Sequence, residues 1–155
     1  MEWAAFGRVL VLIDAANLSM AAADLGFKIH YRPLTRYFRT QSRLVRMVYY
    51  SSEFSSAGHI RLIKALRSYG YQIVSKPVKV IRMPGGGTLR KANFDIEIAL
   101  DAMDWLEQYD TLVLFSGDSD FDPLIKRLQS KGKKVVVCSM RDHIAKELQF
   151  LPVSA

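Results

Sequence analysis

The stretch Thr111–Leu124, TLVLFSGDSDFDPL, indicates the kind of fold through the order of its parts. It begins with an apolar run, Leu112–Phe115, that lacks polar alternation, as is typical of a parallel strand covered on both faces. It ends with Asp122 directly before Pro123, a pairing that is preferred at the first residues of a helix. We therefore expect a buried strand, an acidic loop, and then a helix over Pro123–Lys131 that Asp122 caps.

Four other apolar runs resemble this one, and helical segments lie between them. The predicted strands are Val9–Ile13, Leu44–Tyr50, Tyr71–Val74, Leu112–Phe115 and Val135–Cys138. The predicted helices are residues 33–41, His59–Tyr69, Asp95–Gln108, Pro123–Lys131 and Arg141–Phe150. Strands that alternate with helices indicate βαβ units and a parallel sheet. The predicted fold is therefore α/β: a three-layer α/β/α sandwich around a mostly parallel sheet of about five strands, in one domain over residues 1–155.

The segment between the third strand and the helix at Asp95 breaks this alternation. Pro84 followed by the run Gly85–Gly87 predicts a turn, either a hairpin tip or a mobile loop. It is not a phosphate-binding P-loop, because the spaced second glycine with Lys-Ser or Lys-Thr is absent. A plain loop is one interpretation and a mobile basic flap is the other, since the turn is flanked by Lys76, Lys79, Arg82, Arg90 and Lys91.

Composition excludes several classes of protein. The chain has 155 residues, of which 50% are hydrophobic and 24% charged, so it is long enough for an ordinary globular core. No apolar run approaches the roughly 20 residues of a membrane span, and a single cysteine, Cys138, cannot form an internal disulfide. We therefore expect a soluble cytoplasmic protein with no membrane partner. The net charge of +7 is explained either by solubility or by a polyanionic partner, and charge alone does not distinguish the two.

Asp118 and Asp120 have no evident structural role. Their spacing with Asp122 resembles the start of an EF-hand loop, but Pro123 stands where that loop needs glycine and Gln129 where it needs glutamate. Calcium binding of that kind is therefore excluded. Both aspartates follow the carboxyl end of a predicted strand, which is where open α/β sheets bind their ligands.

Asp14 and Asp95 are two further acidic candidates. Asp14 ends the first strand and is explained equally well as a cap for the next helix. Asp95 lies in the first turn of its helix, on the apolar face that should contact the sheet; the other members of that face are Ala99, Ala102 and Leu106. The helix dipole favours an acid in the first turn but does not require it on that side. A different face, expected to be solvated, carries Glu97, Asp101, Asp104 and Gln108.

These acids come from separate segments that the predicted fold brings together. In a doubly wound sheet the first and fourth strands are neighbours, so Asp14 and Asp118 should converge. Converging carboxylates repel one another unless some are protonated or a cation binds between them. Oxygen ligands favour hard divalent ions such as Mg²⁺ or Mn²⁺. An acidic site in a protein of net charge +7 is what a metal-dependent nuclease needs, since the metal activates water while basic surroundings hold the phosphate backbone.

Several motifs together resemble the NYN domain, the LabA-like branch of the PIN-like nuclease superfamily. They are Asp14-Ala-Ala-Asn17, KANFDIEIALDA from Lys91, SGDSDFDPL from Ser116, and GKKVVV from Gly132. The resemblance implies a Rossmann-like fold with sheet order 3-2-1-4-5 and a Mg²⁺- or Mn²⁺-dependent endoribonuclease site. By position, the metal-binding and catalytic residues it implies are Asp14, Asp95, Asp118 and Asp120, with Asn17 and Ser116 as supporting neighbours. An acid at Asp101 also fits the family pattern, although its helical face argues against a metal ligand.

Basic residues are the predicted contacts to RNA, with a single strand favoured as the substrate. The expected residues are Lys91, Arg90, Lys126, Arg36 and Arg39. For the arginines that recur every three or four residues from Arg36 to Arg46, a solvated face is an equally good explanation. Core packing is favoured over base stacking for Tyr49, Tyr50 and Phe54. Whether a homodimer completes the substrate channel is left open.

Two functions fit these observations. The first is a metal-dependent ribonuclease that hydrolyses phosphodiester bonds, and the alternative is a non-catalytic RNA-binding or regulatory module that keeps the acidic cluster. A phospho-acceptor receiver domain is excluded, because its third strand would end in an aspartate and this one runs into Ser75-Lys76-Pro77. A phosphatase with a nucleophilic Asp-x-Asp after the first strand is excluded by Ala16.

Overall fold

The computed structural model describes residues 2–26, 28–91 and 93–139, without the side chains of residues 89–91. Its strands are β1 (Arg8–Asp14), β2 (Arg43–Ser52), β3 (Gln72–Lys76), β4 (Lys79–Arg82), β5 (Thr88–Lys91), β6 (Thr111–Phe115) and β7 (Lys134–Cys138). Its helices are α1 (Ala15–Leu25), α2 (Tyr31–Gln41), α3 (Ala57–Tyr69), α4 (Asp95–Asp104) and α5 (Asp122–Ser130). Short 3₁₀ turns cover Trp3–Phe6, Leu106–Gln108 and Ser119–Phe121. The helix predicted over Arg141–Phe150 lies outside the described residues.

The main sheet has the predicted strand order. β1 pairs with β2 on one side and with β6 on the other, and the complete order is β3-β2-β1-β6-β7. Every pairing in this sheet is parallel. β4 and β5 form a separate antiparallel hairpin, so the order of the main-sheet strands is the expected 3-2-1-4-5. The α/β prediction is therefore confirmed.

β1 lies at the centre of the sheet and carries apolar side chains on both faces. Its residues Val9–Ile13 are at most 1% exposed. Leu10 and Leu12 pack into one core with Ile98 of α4. The alternate residues of β1 pack into a second core with Leu66 of α3. Because successive side chains of a strand point to opposite faces, this pattern puts helices on both sides of the sheet, which is the predicted three-layer sandwich.

The parallel arrangement gives the sheet two chemically different edges. We call the edge at Asp14, where β1 ends, the carboxyl edge, and the edge at Arg8, where β1 begins, the amino edge. Asp14 is in register with Tyr50 and Ile13 with Phe115, so β2 and β6 also end at the carboxyl edge. A helix that follows one of these strands begins near the carboxyl edge, and a helix that precedes one ends near the amino edge.

Two helices differ from the prediction by more than two residues. α1 is absent from the predicted set, because its sequence AANLSMAAADL is rich in small residues and lacks a strong apolar stripe. It ends at Gly26, whose left-handed φ of 72° suits glycine. α4 ends at Asp104 instead of Gln108, because the chain leaves the α-helix at Trp105 and tightens into the 3₁₀ turn over Leu106–Gln108.

Asp122 does not cap α5, so that prediction is wrong. It has helical angles, φ −54° and ψ −45°, and is itself the first residue of the helix. Its carboxylate forms an ion pair with Lys126 at 2.8 Å. The turn Ser119–Phe121 leads directly into α5, and Asp118 caps that turn by accepting a hydrogen bond from the Asp120 N–H at 2.9 Å. The capping aspartate of this segment is therefore Asp118.

The predicted hairpin is present between β3 and α4. It pairs Lys79 with Lys91 at its base and Arg82 with Thr88 near its tip. The run Gly85–Gly87 has φ values of 91°, 93° and 100°, which residues with a Cβ rarely adopt, so these glycines form the turn. Since β3 ends and α4 begins at the carboxyl edge, the base of the hairpin lies beside that edge.

The helices of the described ranges are too short or too polar to cross a membrane. The longest of them, α3, has 13 residues, against about 20 for a membrane span.

Candidate metal centre

Asp14 is held at the end of β1 by hydrogen bonds to both of its carboxylate oxygens. The residue is 8% exposed. Its Oδ1 accepts a hydrogen bond from the Asn17 N–H at 3.4 Å, which caps α1. Its Oδ2 accepts one from the Ser116 hydroxyl at 3.3 Å. The capping role that the sequence left open for Asp14 is therefore present.

Ser116 and Asn17 join the segments that follow β1 and β6. Ser116 is 1% exposed, and its Oγ also accepts a hydrogen bond from the Asp118 N–H at 3.2 Å. The Asn17 Oδ1 accepts a hydrogen bond from the Gly117 N–H at 2.8 Å. These bonds fix the backbone that carries Asp118 against the end of β1, so the Asp14 and Asp118 carboxylates have a defined relative position.

Asp95, Asp118 and Asp120 converge at the carboxyl edge. Each offers a carboxylate oxygen that lies within 4.8 Å of those of the other two. Asp95 and Asp118 are half-buried, whereas Asp120 is exposed. Asp95 comes from the first turn of α4, and the other two belong to the segment that follows β6. The fold thus brings together acids that are well separated in the sequence.

The pKa values of these carboxylates reflect their crowding. Burial first, and then the negative charges of Asp118, Asp14 and Asp120, raise the pKa of Asp95 to about 6. Burial also raises the pKa of Asp14, with a smaller contribution from Asp118, while the hydrogen bonds that Asp14 accepts oppose the increase. Ionising the whole set therefore costs free energy unless a cation is bound nearby.

The donor set fits a hard divalent cation. It consists of carboxylate oxygens, which are the ligands that Mg²⁺ and Mn²⁺ prefer. Two oxygens bound to one Mg²⁺ at about 2.1 Å are at most about 4.2 Å apart. The oxygens of the cluster, within 4.8 Å of one another, need only small side-chain rotations to reach that separation.

Asp101 and Glu97 of α4 have partners of their own. The Asp101 Oδ2 accepts a hydrogen bond from the Tyr50 hydroxyl at 2.8 Å. Glu97 forms an ion pair with Lys76 at 2.7 Å. The expectation that this face of α4 is solvated is wrong for these two acids, because the ends of β2 and β3 reach it. It is correct for Asp104, which is exposed.

The arginines predicted as RNA contacts lie away from the acidic cluster. Arg36 and Arg39 line, with Arg32, a cavity of about 560 Å³ between α2 and α3. Since α2 ends directly before β2 begins, its last turn lies near the amino edge. The stripe does not continue to Arg46, which lies on β2 and stacks over the Trp105 ring at 4.2 Å from its centroid.

The other predicted contacts are on α5 and the hairpin. Lys126 is 68% exposed and pairs with Asp122. The backbone of Arg90 and Lys91 belongs to β5, near the carboxyl edge, but their side chains lie outside the part of the chain that the structure describes.

Arg127 follows Lys126 in α5 but was not among the predicted RNA contacts. It lines a crevice of about 310 Å³ together with Asp95, Asp120 and Pro123. The helical spacing indicates this position. Pro123 and Arg127 are four residues apart on α5 and therefore share a face of the helix, whereas Lys126 lies on a neighbouring face.

Core packing is correct for Tyr49 and Tyr50 but wrong for Phe54. The two tyrosines are 2% and 0% exposed, whereas Phe54 is 52% exposed. The reason is positional, since β2 ends at Ser52 and Phe54 lies in the loop beyond the carboxyl edge.

Comparisons with known proteins bear on the family and the fold of this chain. A sequence model of the NYN domain matches residues 8–151. The chain is 34% identical over 146 residues to the low amplitude and bright protein LabA of Synechococcus elongatus, which covers 92% of this chain and 78% of LabA. The fold of this chain is similar to that in the crystal structure of VPA0982, a protein of unknown function from Vibrio parahaemolyticus, with a TM-score of 0.79. The two sequences are 23% identical, and the match covers 92% of this chain and 87% of VPA0982. From the domain match and the similarity to LabA, we conclude that this chain belongs to the NYN domain family.

Proposed function

We propose that this protein is a metal-dependent ribonuclease that hydrolyses phosphodiester bonds of RNA with Mg²⁺ or Mn²⁺ as its cofactor. The observation that carries the proposal is the convergence of carboxylate oxygens from Asp95, Asp118 and Asp120 within 4.8 Å of one another at the carboxyl edge. Membership of the NYN family supports it, because that family belongs to a nuclease superfamily.

The four aspartates have distinct proposed roles. Asp14, Asp95 and Asp118 would bind the ion directly, and Asp120 would bind a second ion or orient a water. When bound, a divalent ion supplies an activated water for attack on phosphorus and stabilises the leaving oxygen. The contribution of Ser116 is to position two of these aspartates, since it donates to the Asp14 carboxylate and accepts from the Asp118 N–H.

Cations on several elements would hold the RNA backbone. Arg127 lines the crevice beside Asp95 and Asp120, so it is placed to contact a phosphate at the site. Lys126, Arg90 and Lys91 would contact neighbouring phosphates of a single strand. Arg36 and Arg39, on the side of the amino edge, would contact a more distant part of the same strand.

The test is a comparison of the protein with its Asp118→Asn variant on labelled single-stranded RNA, each in Mg²⁺, in Mn²⁺ and in EDTA, with binding measured in parallel. Asp104→Asn is the matched control, because Asp104 is an exposed acid near the end of α4. We expect metal-dependent cleavage by the wild type and by Asp104→Asn, and loss of cleavage with retained RNA binding in Asp118→Asn.

A fully active Asp118→Asn variant would contradict the assigned site. RNA binding without cleavage by any of the three proteins, in either metal, would instead favour the non-catalytic RNA-binding module.

A further inference from the structure

An open groove lies beside β3, the outermost strand of the main sheet. Its volume is about 420 Å³, which is within the range of small-ligand sites. Phe54 stands in its wall with 52% of the residue exposed. The His59 ring lies against it edge to face, with the ring centroids 4.9 Å apart and the planes at 78°. The histidine contact supports one side of the phenyl ring and leaves the rest accessible.

Aliphatic side chains form much of the remaining wall. They are Ile60, Ile63 and Ile73, from α3 and β3. An exposed aromatic ring in an apolar concavity is suited to a flat, partly apolar ligand, because stacking and burial both become favourable when the ligand enters. Two polar side chains that also line the groove, Glu53 and Ser75, offer hydrogen bonds to the edge of such a ligand.

The charge around the groove favours an anionic partner. Lys64 and Arg67 line it, one helical turn apart on α3. The sequence of α3 contains a third cation, Arg61, and no acidic residue. A second copy of the chain docked on this face would bring like charges together, which is unfavourable. A nucleic-acid strand fits both the apolar wall and the positive charge of the groove, since its bases are flat and apolar on their faces and its phosphates are negative.

The groove begins at the same edge of the sheet as the aspartates and extends along α3 toward the amino edge, where Arg67 lies. Asp14 is in register with Tyr50 of β2, and Ser52 with Lys76 at the end of β3. The Glu53 N–H, next to Phe54, donates to the Lys76 carbonyl at 3.0 Å. Neighbouring strands are about 4.8 Å apart, so along this edge β3 lies about 10 Å from β1, which ends in Asp14, and about 15 Å from β6, which precedes Asp118 and Asp120. A single strand that extends from the aspartates along this edge can therefore place one of its bases at Phe54.

We propose that this groove is a base-binding subsite, in which one base of single-stranded RNA stacks on Phe54 while adjoining phosphates contact Lys64 and Arg67. The proposal rests on the proposed ribonuclease function for its choice of RNA, and it adds a position at which the strand is held beside the acidic cluster. A carboxylate accepts hydrogen bonds from exocyclic amino groups, so Glu53 favours cytosine, adenine or guanine, which carry such a group, over uracil, which does not.

The test measures binding in the Asp118→Asn background, so that turnover does not interfere. RNA oligonucleotides of one sequence, each with a single abasic residue at a different position, are titrated against four proteins: this background alone and with Phe54→Ala, Phe54→Trp or Met20→Ala. Met20 is the matched control, a 65% exposed apolar residue on α1. We expect Phe54→Ala to weaken binding of intact RNA about five- to twenty-fold, the lower part of the range for base stacking, because the ring keeps one solvent-facing side.

The abasic series gives the readout that a merely structural role would not change. An abasic residue at one position should weaken RNA binding by the same factor in the background protein and in Phe54→Trp. In Phe54→Ala, an abasic residue at that position should cause no further loss of affinity. Met20→Ala should behave like the background protein.

Three results would overturn the subsite. They are unchanged RNA affinity in Phe54→Ala, an abasic penalty that persists in that variant, and a change in oligomeric state by sedimentation, which would make the groove a subunit contact. Failure of the ribonuclease is a separate outcome: position-specific coupling to Phe54 with no cleavage by the wild type in either metal would leave the subsite in place and remove the catalytic function.

Discussion

Replacing Asp95 with asparagine should stabilise the metal-free protein at pH 8. Asp95 lies in the first turn of α4 and shares the acidic cluster with Asp118 and Asp120. Asparagine has nearly the same shape but no charge, so the variant removes the cost of burying the charge and the repulsion by the neighbouring carboxylates, while keeping the packing. The effect reports on the cluster directly, without an activity assay.

The size of the effect follows from the pKa of Asp95, which burial and the neighbouring carboxylates raise from 3.8 to about 6. A pKa difference of this size corresponds to at most about 3 kcal/mol. Because the side chain is only half-buried, solvent screening reduces the difference, and we expect about 1 kcal/mol.

The sign depends on pH. The folded-state pKa is raised, so protonation of Asp95 favours the folded state: this stability is fully present below about pH 4 and is lost as the pH rises through about 6. The asparagine variant has no such loss. Its advantage over the wild type should therefore be about 1 kcal/mol at pH 8 and should disappear on acidification.

The measurement is urea denaturation in EDTA at pH 8 and pH 4, repeated at pH 8 with Mg²⁺. At about 100 times its dissociation constant, Mg²⁺ should stabilise the wild type by about 2.7 kcal/mol and Asp95→Asn by less. Asp104→Asn controls for the loss of one exposed charge on the same helix. If Asp95→Asn were no more stable than the wild type at pH 8 in EDTA, the Asp95 carboxylate would be neither desolvated nor repelled by its neighbours, and the cluster would be wrong.

Two further predictions concern the hydrogen bonds around the site. Ser116→Ala removes the hydroxyl that donates to Asp14 and accepts from the Asp118 N–H. We expect the free energy of unfolding, measured in urea, to fall by about 1–2 kcal/mol. Because the hydrogen bond from Ser116 lowers the pKa of Asp14, its loss should also move the pH profile of cleavage toward higher pH. An unchanged profile would show that Ser116 does not control Asp14. Tyr50→Phe removes the hydrogen bond to Asp101, which should cost about 1 kcal/mol of stability without changing the metal requirement of cleavage; a changed requirement would make Asp101 part of the metal site.

The five strands of the main sheet were predictable because each contains a short apolar run, whereas β4 and β5 of the hairpin do not. β1 shows why: its central residues are buried on both faces, so no polar alternation confuses the pattern. α1 was not predictable in the same way, because it packs with alanines, whose burial leaves little periodic signal. The sheet order came from the resemblance to the NYN domain, since periodicity alone does not say which strands are neighbours.

Errors in the site came from local geometry that the sequence does not display. The turn Ser119–Phe121 moves the helix start by one residue and transfers the capping role from Asp122 to Asp118. Arg39 was predicted to contact RNA, and its position away from the aspartates follows from topology, since a helix that directly precedes a strand ends at the amino edge. The sequence pattern identified which acidic and basic residues to consider, and the fold showed which of them lie at the carboxyl edge and which at the amino edge of the sheet.

Capping and metal binding, which the sequence offered as alternative roles for Asp14, are compatible in the structure, and Asp118 shows why. A carboxylate has two oxygens and about four lone pairs, so one hydrogen bond to a backbone N–H leaves capacity for a cation. Asp118 uses Oδ1 to accept from the Asp120 N–H, and within the described part of the chain its Oδ2 accepts no hydrogen bond. The cap fixes the rotation of the side chain before any ion arrives. A residue that caps a turn in this way is therefore well prepared to hold a metal, and a capping role is not evidence against a site.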